Sequence, residues 1–482
     1  MRWLATAACA VCGLWLVALA YGFPPQPRPA ARSAERKTAE VPAVIFTAAP
    51  VYESLAALHG GERFPNGAQL MVLRSGESHP LVPEFAASAD ASISFDGKAV
   101  LFAGKKNASD PWHIWQVPID GGTPQLVISG NTDIIRPLWM PDDRLVYARR
   151  EAAGFALETA GLEGSGVLGL SYLPGNFIPD DVLRDGRVLF ESDFPLGAVT
   201  TSRTAEARPD MFLVYADGSG VESVRCDHPD GARNAGREHG RQISFDSELV
   251  RAGDIAFTQN GRLARFTSAL AAEAPIAAPH GDYAGDVAQL PDGRWILSAR
   301  RPGARHFTLT VWKPGTQALT AIAQDARQDL VEPAVVAPRA VPNRHPSALH
   351  TWSYGNLLAL DARQSRAGNL TTTPAQLRAE TMDEDGRPVS LGTAPVEKDG
   401  SFFVQAAGDR PLRFILLDAA GQPLRAEHGW FWVRRGEQRI CVGCHTGPER
   451  APENRVPLVL RKSTTPADLT GGAATAAPAG GH

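Results

Sequence analysis

Cysteine is scarce in this sequence, with five in 482 residues. Cys9 and Cys12 lie in an apolar N-terminal run, which leaves Cys226, Cys441 and Cys444 for the folded chain. So few cysteines exclude a scaffold built on disulfides. Cys226 has no evident partner, and we expect it to be a small buried apolar residue.

Strong charge of either sign and helix-favouring composition are lacking too. The formal net charge is -4, which argues against nucleic acid as a partner. The 46 glycines and 38 prolines indicate a turn-rich chain, which suits many short strands better than long helices.

The most informative stretch is the pentapeptide Cys441-Val442-Gly443-Cys444-His445, which has the spacing of a c-type haem attachment motif. In such a motif both thiols bond to the haem vinyl groups, and the adjacent histidine is the proximal iron ligand. A structural zinc site would need more ligands nearby, and a thioredoxin-like redox pair would need a βαβ context. A plain disulfide across two residues is the remaining alternative. We therefore predict one covalent haem c.

The sixth iron ligand is open at this stage. All four methionines after Met1 lie upstream of the motif, and only 37 residues follow His445, too few for a separate cytochrome c domain. His428 or His350 could supply the distal nitrogen, with His345 as a further candidate. Without any of them the iron is five-coordinate and open to a small ligand.

The N-terminus resembles an export signal. Residues 1–22 contain an apolar run from Leu4, and Ala18-Leu19-Ala20 fits a small-x-small cleavage site. The run is nearly long enough to be an uncleaved membrane anchor instead. Residues 23–40 are rich in proline and alanine and read as a flexible tether. We expect a periplasmic protein, exported and either free or anchored in the inner membrane by this segment alone.

A repeat occupies the middle of the chain. An Asp turn followed by an apolar strand recurs at Asp96, Asp142, Asp185 and Asp292, with spacings of 46, 43 and 107, the last being two periods. A period in the forties with about four strands per unit is typical of a β-propeller. The copies resemble the TolB-type repeat, and they predict about six blades over residues 41–325. The aspartates are expected to cap turns and not to bind metal.

The C-terminal part reads as a second all-β unit. Short alternating strands separated by Gly, Asp and Pro predict a small β-sandwich over residues 351–435, after a Pro-punctuated linker at 326–350. Residues 436–463 form the haem-binding segment, and residues 464–482 are expected to be a disordered tail. Trp430, Phe431 and Trp432 are candidate apolar contacts of the haem. Arg434, Arg435 and Arg439 are either propionate partners or solvated strand ends.

Three stretches resemble the middle domain of the hydrazine synthase alpha subunit. They begin at Glu397, at Pro411 and at Trp432, and the last leads through Arg435-Gly-Glu-Gln-Arg into the haem motif. In that family a TolB-like propeller precedes the middle domain, so the resemblance spans about residues 41–462. The synthase has a further C-terminal haem domain, and its middle-domain haem has a tyrosine ligand four residues after the motif histidine. The corresponding residue here is Glu449.

These features leave three functional expectations. The first is an exported monohaem electron-transfer protein that meets a redox partner protein, with the propeller as its docking platform. The second, implied by the resemblance, is a haem enzyme acting on a small nitrogen or oxygen species at an open iron. The third is a non-catalytic propeller scaffold whose haem is structural or sensory.

Overall fold

The computed structural model describes residues 41–194, 209–224, 237–267, 273–364, 369–427, 429–443 and 455–472. These residues form 32 strands and one short helix, arranged in eight four-stranded sheets. The all-β fold class, a propeller followed by a sandwich, is therefore confirmed. No helix in the described ranges is long and apolar enough to cross a membrane. The predicted signal or anchor, the tether and Cys226 lie outside the described residues.

Six of the eight sheets follow one another between residues 44 and 335. The first contains β1 (Val44–Ala49), β2 (Gln69–Arg74) and β3 (Glu77–Pro80). The second contains β4 (Ala87–Ile93), β5 (Ala99–Lys105), β6 (His113–Pro118) and β7 (Gln125–Ile128). The third contains β8 (Ile134–Met140), β9 (Arg144–Glu151), β10 (Gly154–Gly161) and β11 (Leu168–Gly169).

The remaining propeller sheets have the same meander order. The fourth contains β12 (Phe177–Val182), β13 (Val188–Ser192), β14 (Asp210–Val214) and β15 (Glu222–Ser223). The fifth contains β16 (Arg237–Gln242), β17 (Ile255–Gln259), β18 (Arg262–Phe266) and β19 (Glu273–Pro275). The sixth contains β20 (Asp282–Gln289), β21 (Trp295–Arg300), β22 (Thr308–Trp312) and β23 (Leu319–Ala323).

Strand β24 (Asp329–Val335) returns to the first sheet and closes the ring. It pairs antiparallel with β1, for example Ala48 opposite Leu330, as predicted for the strand near Val44. The first strands of successive sheets contact one another in turn, and β24 contacts β4. The propeller therefore extends past the predicted boundary at 325 into the predicted linker, because pairing with the N-terminal strand removes an open sheet edge.

Three of the four repeated aspartates have the predicted structural role. Asp96, Asp185 and Asp292 each accept a hydrogen bond from the backbone N–H two residues later, at 3.0, 3.0 and 3.1 Å. The glycine that follows Asp96 has a φ of 77°, which a side chain would strain. These three residues shape the turns between the first and second strands of their sheets.

A second repeated feature lies at the centre of the ring. In each of the six sheets the register slips within the innermost strand, as in a β-bulge. The bulges fall at Asp90, Arg136, Asp180, His239, Gly285 and Glu332, and five of these six residues have positive φ, Asp180 being the exception. Left-handed backbone at non-glycine residues is strained and clusters at functional sites. The bulges therefore mark the centre of this ring as a candidate functional site.

The remaining two sheets form the sandwich. One contains β25 (Tyr354–Ala359), β28 (Phe402–Ala407), β31 (Gln438–Cys441) and β32 (Ala467–Leu469). The other contains β26 (Gln376–Met382), β27 (Pro388–Pro395), β29 (Arg413–Leu417) and β30 (Pro423–Ala426). Helix α1 (Leu458–Lys462) lies between β31 and β32 in the chain.

The sandwich is longer than the predicted 351–435. Strand β31, from the predicted haem-binding segment, pairs parallel with β25. Strand β32, from the predicted disordered tail, pairs parallel with β28 and buries Leu469 against the sandwich core. Such pairings join residues up to 82 positions apart, for example Asn356 with Gln438, so local composition gives no sign of them.

Trp432 lies in the contact between the sandwich and the propeller. Its ring is 1 % exposed and lies edge-on to Tyr172 and Phe177, which belong to the core between the third and fourth propeller sheets. Its indole N–H donates to the carbonyl of Gly218 at 2.8 Å. The expectation that Trp432 contacts the haem is therefore wrong: propeller side chains surround it.

Candidate functional site

The haem motif begins at the open edge of the sandwich. Cys441 is the last residue of β31, which is the edge strand of its sheet, and the chain leaves the sheet at Val442 and Gly443. Cys444, His445 and Glu449 lie outside the described residues. Cys441 forms no disulfide within the described residues.

The surroundings of Cys441 suit a large apolar group. The thiol is partly buried against the sandwich core beside Phe431. Burial raises the pKa of the Cys441 thiol, Arg439 opposes that shift, and Glu427 adds to it. Ile440 and Val456, one on each side of the undescribed part of the motif, are apolar yet 66 % and 63 % exposed. The residues present therefore fit a covalently attached haem at this edge.

The arginines proposed for the propionates already have partners. Arg434 bonds to Tyr172, to Asp409 at 2.8 Å and to the Asp217 carbonyl at 2.9 Å, which makes it part of the contact between propeller and sandwich. Arg435 lies 3.3 Å from Asp409, and Arg439 lies 2.8 Å from Glu437. Arg435 is exposed enough to exchange its partner for a propionate.

The two candidate distal histidines differ in position. The backbone N–H of His350 bonds to Gly436 O at 3.0 Å, and its ring stacks on Trp352. Gly436 precedes Cys441 by five residues, or about 16 Å along an extended strand. His428 lies outside the described residues, but its neighbour Glu427 is close enough to influence the Cys441 thiol. His345 stacks on Tyr215 in the propeller, with ring centroids 3.9 Å apart.

A second site lies where the six bulges meet. We call it the central cluster. It consists of Tyr52, Arg63, Asp90, Arg136, Asp180, Glu191, His239, Arg241, Asp286 and Glu332. All of them are buried except Tyr52 and Arg241, which are partly exposed. The cluster has five carboxyl groups and three guanidinium groups.

Arg136 is the hub of the central cluster. Its Nη1 and Nη2 donate to the two oxygens of Asp286 at 3.1 and 3.0 Å. Nη2 also lies 2.8 Å from His239 Nδ1 and 3.4 Å from Asp180 Oδ1. Arg241 adds a 2.6 Å bond to Asp286, and Arg63 bonds to Asp90 and Glu332.

His239 is held in one tautomer by these contacts. Because a guanidinium only donates, Nδ1 of His239 accepts from Arg136, and Nε2 carries the proton. Nε2 then donates to Tyr52 Oη at 3.1 Å, and Tyr52 donates to Glu332 Oε1 at 2.9 Å. Burial, with Arg136, lowers the pKa of His239 well below its usual value, so the ring is neutral.

The carboxyl groups fall into two classes. Burial would raise the pKa of Asp286, but Arg136 and Arg241 outweigh it and hold the pKa low. Burial raises the pKa of Asp180 and that of Glu332 to about 7, and it raises that of Glu191 well above the usual value. Asp180 Oδ2 and Glu191 Oε1 are buried with no hydrogen-bond partner. These two oxygens therefore lack a cationic partner among the described residues.

A small cleft adjoins the cluster. Arg63 and Asp90 line it, together with residues that include Phe64, Trp112, Arg150 and Phe155. The cleft therefore shares Arg63 and Asp90 with the central cluster.

The central cluster was not apparent from the sequence. His239 was not among the candidate residues, and its side chain is 0 % exposed on β16 at the centre of the propeller. The available signal was the spacing of the bulge residues, 46, 44, 59, 46 and 47, which follows the repeat as the aspartate turns do. The signal is weak because the bulge positions differ in residue type from sheet to sheet.

Fold and motif together define a propeller–sandwich protein with a Cys-x-x-Cys-His segment. A family model for the hydrazine synthase alpha subunit middle domain matches residues 359–446. Among solved structures, Kuenenia stuttgartiensis hydrazine synthase aligns with a TM-score of 0.73 and 17 % identity, over 88 % of this chain and 71 % of that chain. TolB from Acinetobacter baumannii aligns with a TM-score of 0.44 and 13 % identity, over 61 % and 67 %.

The predicted resemblance to the hydrazine synthase family is therefore confirmed. The family match covers most of the sandwich and the whole Cys-x-x-Cys-His motif, and the structural match covers the propeller as well. At 17 % identity the structural match establishes the fold and not the chemistry. A comparison with curated protein sequences finds no match.

Proposed function

We propose that this chain is an exported monohaem c-type protein with a redox role. Cys441 and Cys444 hold the haem, and His445 is the proximal iron ligand. The observation that carries the proposal is the position of the motif: it starts at Cys441, the last residue of a sandwich edge strand, inside the region that matches the hydrazine synthase alpha subunit middle domain. When bound, haem supplies an iron centre that accepts and gives up electrons.

In this proposal, the edge of the sandwich positions the haem iron. Strand β31 is held in register by β25, with Cys441 opposite Ala359, so the sandwich orients the first attachment point. Trp432 and Arg434 tie the end of the sandwich nearest β31 to the propeller. The haem would thus be attached to a rigid edge, beside exposed apolar side chains that a redox partner protein could cover.

The test is haem content in protein exported with the c-type maturation apparatus. A pyridine haemochrome assay should show one haem per chain that resists acid–acetone extraction. Cys441→Ala with Cys444→Ala should abolish covalent haem, whereas the matched variant Cys226→Ala should retain it. Purified wild-type protein with zinc at the motif and no haem would overturn the proposal.

A second candidate is an enzyme acting on a small nitrogen or oxygen species at an open iron site. It is favoured by the family match over residues 359–446 and by the lack of any methionine after the motif. A high-spin spectrum that changes on adding nitric oxide, cyanide or carbon monoxide would support it. A low-spin spectrum that ignores all three ligands would support the electron-transfer role instead.

A further inference from the structure

The centre of the propeller contains a donor set that the haem proposal does not use. Asp180, Glu191 and His239 each offer a ligand atom, and the three atoms lie within 4.8 Å of one another. Asp180 and His239 are 0 % exposed and Glu191 is 1 % exposed. They come from β12, β13 and β16, so the ring of sheets assembles them from separate parts of the chain.

Two unsatisfied atoms point to a missing partner. Asp180 Oδ2 and Glu191 Oε1 are both buried and lack any hydrogen bond. Leaving a buried carboxylate oxygen unpaired costs on the order of 1–3 kcal/mol, and native structures seldom tolerate it without a bound group. Both atoms are acceptors, so the missing partner is a donor or a cation.

The charge of the central cluster favours a cation. Its five carboxyl groups exceed its three guanidinium groups by two. Arg136 and Arg241 both bond to Asp286, Arg63 bonds to Asp90 and Glu332, and Arg136 also reaches Asp180 Oδ1 at 3.4 Å. Among the described residues none of the three arginines bonds to Glu191, so the deficit of positive charge lies at Glu191.

We propose that Asp180, Glu191 and His239 bind one divalent first-row transition-metal ion, such as Zn²⁺, at the centre of the propeller. Two carboxylates and an imidazole suit such an ion, whereas Ca²⁺ and Mg²⁺ prefer oxygen alone. Around a tetrahedral ion with bonds near 2.1 Å, ligand atoms are about 3.4 Å apart. Asp180 Oδ1 and His239 Nδ1 are 3.6 Å apart, and ligand atoms of all three residues lie within 4.8 Å of one another.

The neighbours of His239 match what metal-binding histidines require. Such a histidine usually donates its second ring N–H to a fixed acceptor. Here Nε2–H donates to Tyr52, which Glu332 holds in turn, so Nδ1 carries the lone pair and lies 3.6 Å from Asp180 Oδ1. That lone pair accepts from Arg136 Nη2, so ion binding displaces Nη2, while Nη1 keeps its bond to Asp286 Oδ2.

The test uses the full-length haem-loaded protein, purified from cells grown with added ZnCl₂ and dialysed against EDTA. Mass spectrometry of the metals counts zinc separately from haem iron. We expect about one zinc per chain in the wild type. Asp180→Asn, Glu191→Gln and His239→Gln should each bind zinc at least tenfold more weakly. Glu238→Gln is the matched control, because Glu238 is buried next to His239 but bonds to Ser54 and not to the three ligands.

Measurements on the wild-type protein test the proposed metal site even if a variant fails to fold. Crystals soaked in ZnCl₂ should show an anomalous peak at the zinc edge between Asp180 and His239. Wild-type protein that holds less than about a tenth of an equivalent of zinc, manganese or cobalt after loading would overturn the proposal. So would variants that retain full metal content, or a peak only at the motif cysteines. Neither readout depends on redox activity, so the haem proposal could fail while this one stands.

Discussion

Arg136 and Asp286 form a bidentate ion pair across the centre of the propeller, with N–O distances of 3.1 and 3.0 Å. The residues are 150 positions apart, on the innermost strands of the third and sixth sheets. Both side chains are almost completely buried. The pair therefore connects opposite parts of the ring, and its integrity depends on the whole propeller.

Removing Arg136 should strongly destabilise the protein. Arg136→Met leaves Asp286 with Arg241 as its remaining cation and removes the guanidinium group from Asp180, and breaking a buried pair typically costs about 3–5 kcal/mol. Guanidinium denaturation should show this loss. Arg74→Met is the control, since Arg74 and Asp120 pair at the surface, and surface pairs contribute about 0–1 kcal/mol. An Arg136→Met variant within 1 kcal/mol of the wild type would contradict the inferred role.

Trp432 should couple the sandwich to the propeller. Trp432→Ala empties a buried aromatic site and should cost about 3–5 kcal/mol, while Trp432→Phe loses mainly the indole bond to Gly218, about 1–2 kcal/mol. We expect faster proteolysis within residues 336–353, between β24 and β25, in Trp432→Ala. Trp352→Phe is the control, because Trp352 is 38 % exposed on that connection. Equal cleavage rates in Trp432→Ala and wild type would show that other contacts hold the two units together.

Asp399 should make stability depend on pH at the start of helix α1. Its carboxylate accepts the Leu458 N–H at 2.8 Å and also bonds to Ser401. Burial would raise the pKa of Asp399, but these hydrogen bonds outweigh it and lower the pKa. The stabilisation is thus present above the unfolded pKa of about 4 and is lost as the pH falls through the folded pKa.

Asp399→Asn should accordingly cost about 1 kcal/mol at pH 7, and the difference from wild type should shrink below about pH 4. Thermal unfolding from pH 2.5 to 7 measures this. Asp418→Asn is the control, because Asp418 bonds only within its exposed turn. A gap that stays constant down to pH 2.5 would show that the charge of Asp399 is irrelevant.

The distal ligand should be His428 or absent, and not methionine. His350 lies toward the opposite end of β31 from Cys441, whereas Glu427 lies near the Cys441 thiol. If the wild-type ferric haem is low-spin, His428→Ala should therefore convert it to high-spin, and His350→Ala should leave it unchanged. If the wild type is already high-spin, the distal ligand is absent and neither variant should change the spectrum. Electron paramagnetic resonance of the ferric protein reports the spin state. The charge-transfer band of methionine ligation in ferric protein would refute this expectation.

Local sequence patterns sufficed for the elements and the motif. Aspartate turns at a period in the forties indicated the propeller, because a turn and the strand beside it are encoded by adjacent residues. The Cys-x-x-Cys-His spacing was readable for the same reason, since the two cysteines and the proposed proximal histidine lie within five residues. The pairings of Tyr354 with Ala407 and of Gln438 with Asn356 could not be predicted, because the local sequence around one residue does not indicate its partner.

Sequence patterns alone indicate an all-β protein with repeats and a Cys-x-x-Cys-His segment. The residues at the centre of the propeller are identified only in the folded structure. His239, Asp180 and Glu191 carry no shared motif, and their separation along the chain hides their proximity. They meet because six bulged strands converge on one axis, and the low exposure there turns ordinary polar residues into a strongly coupled charge cluster.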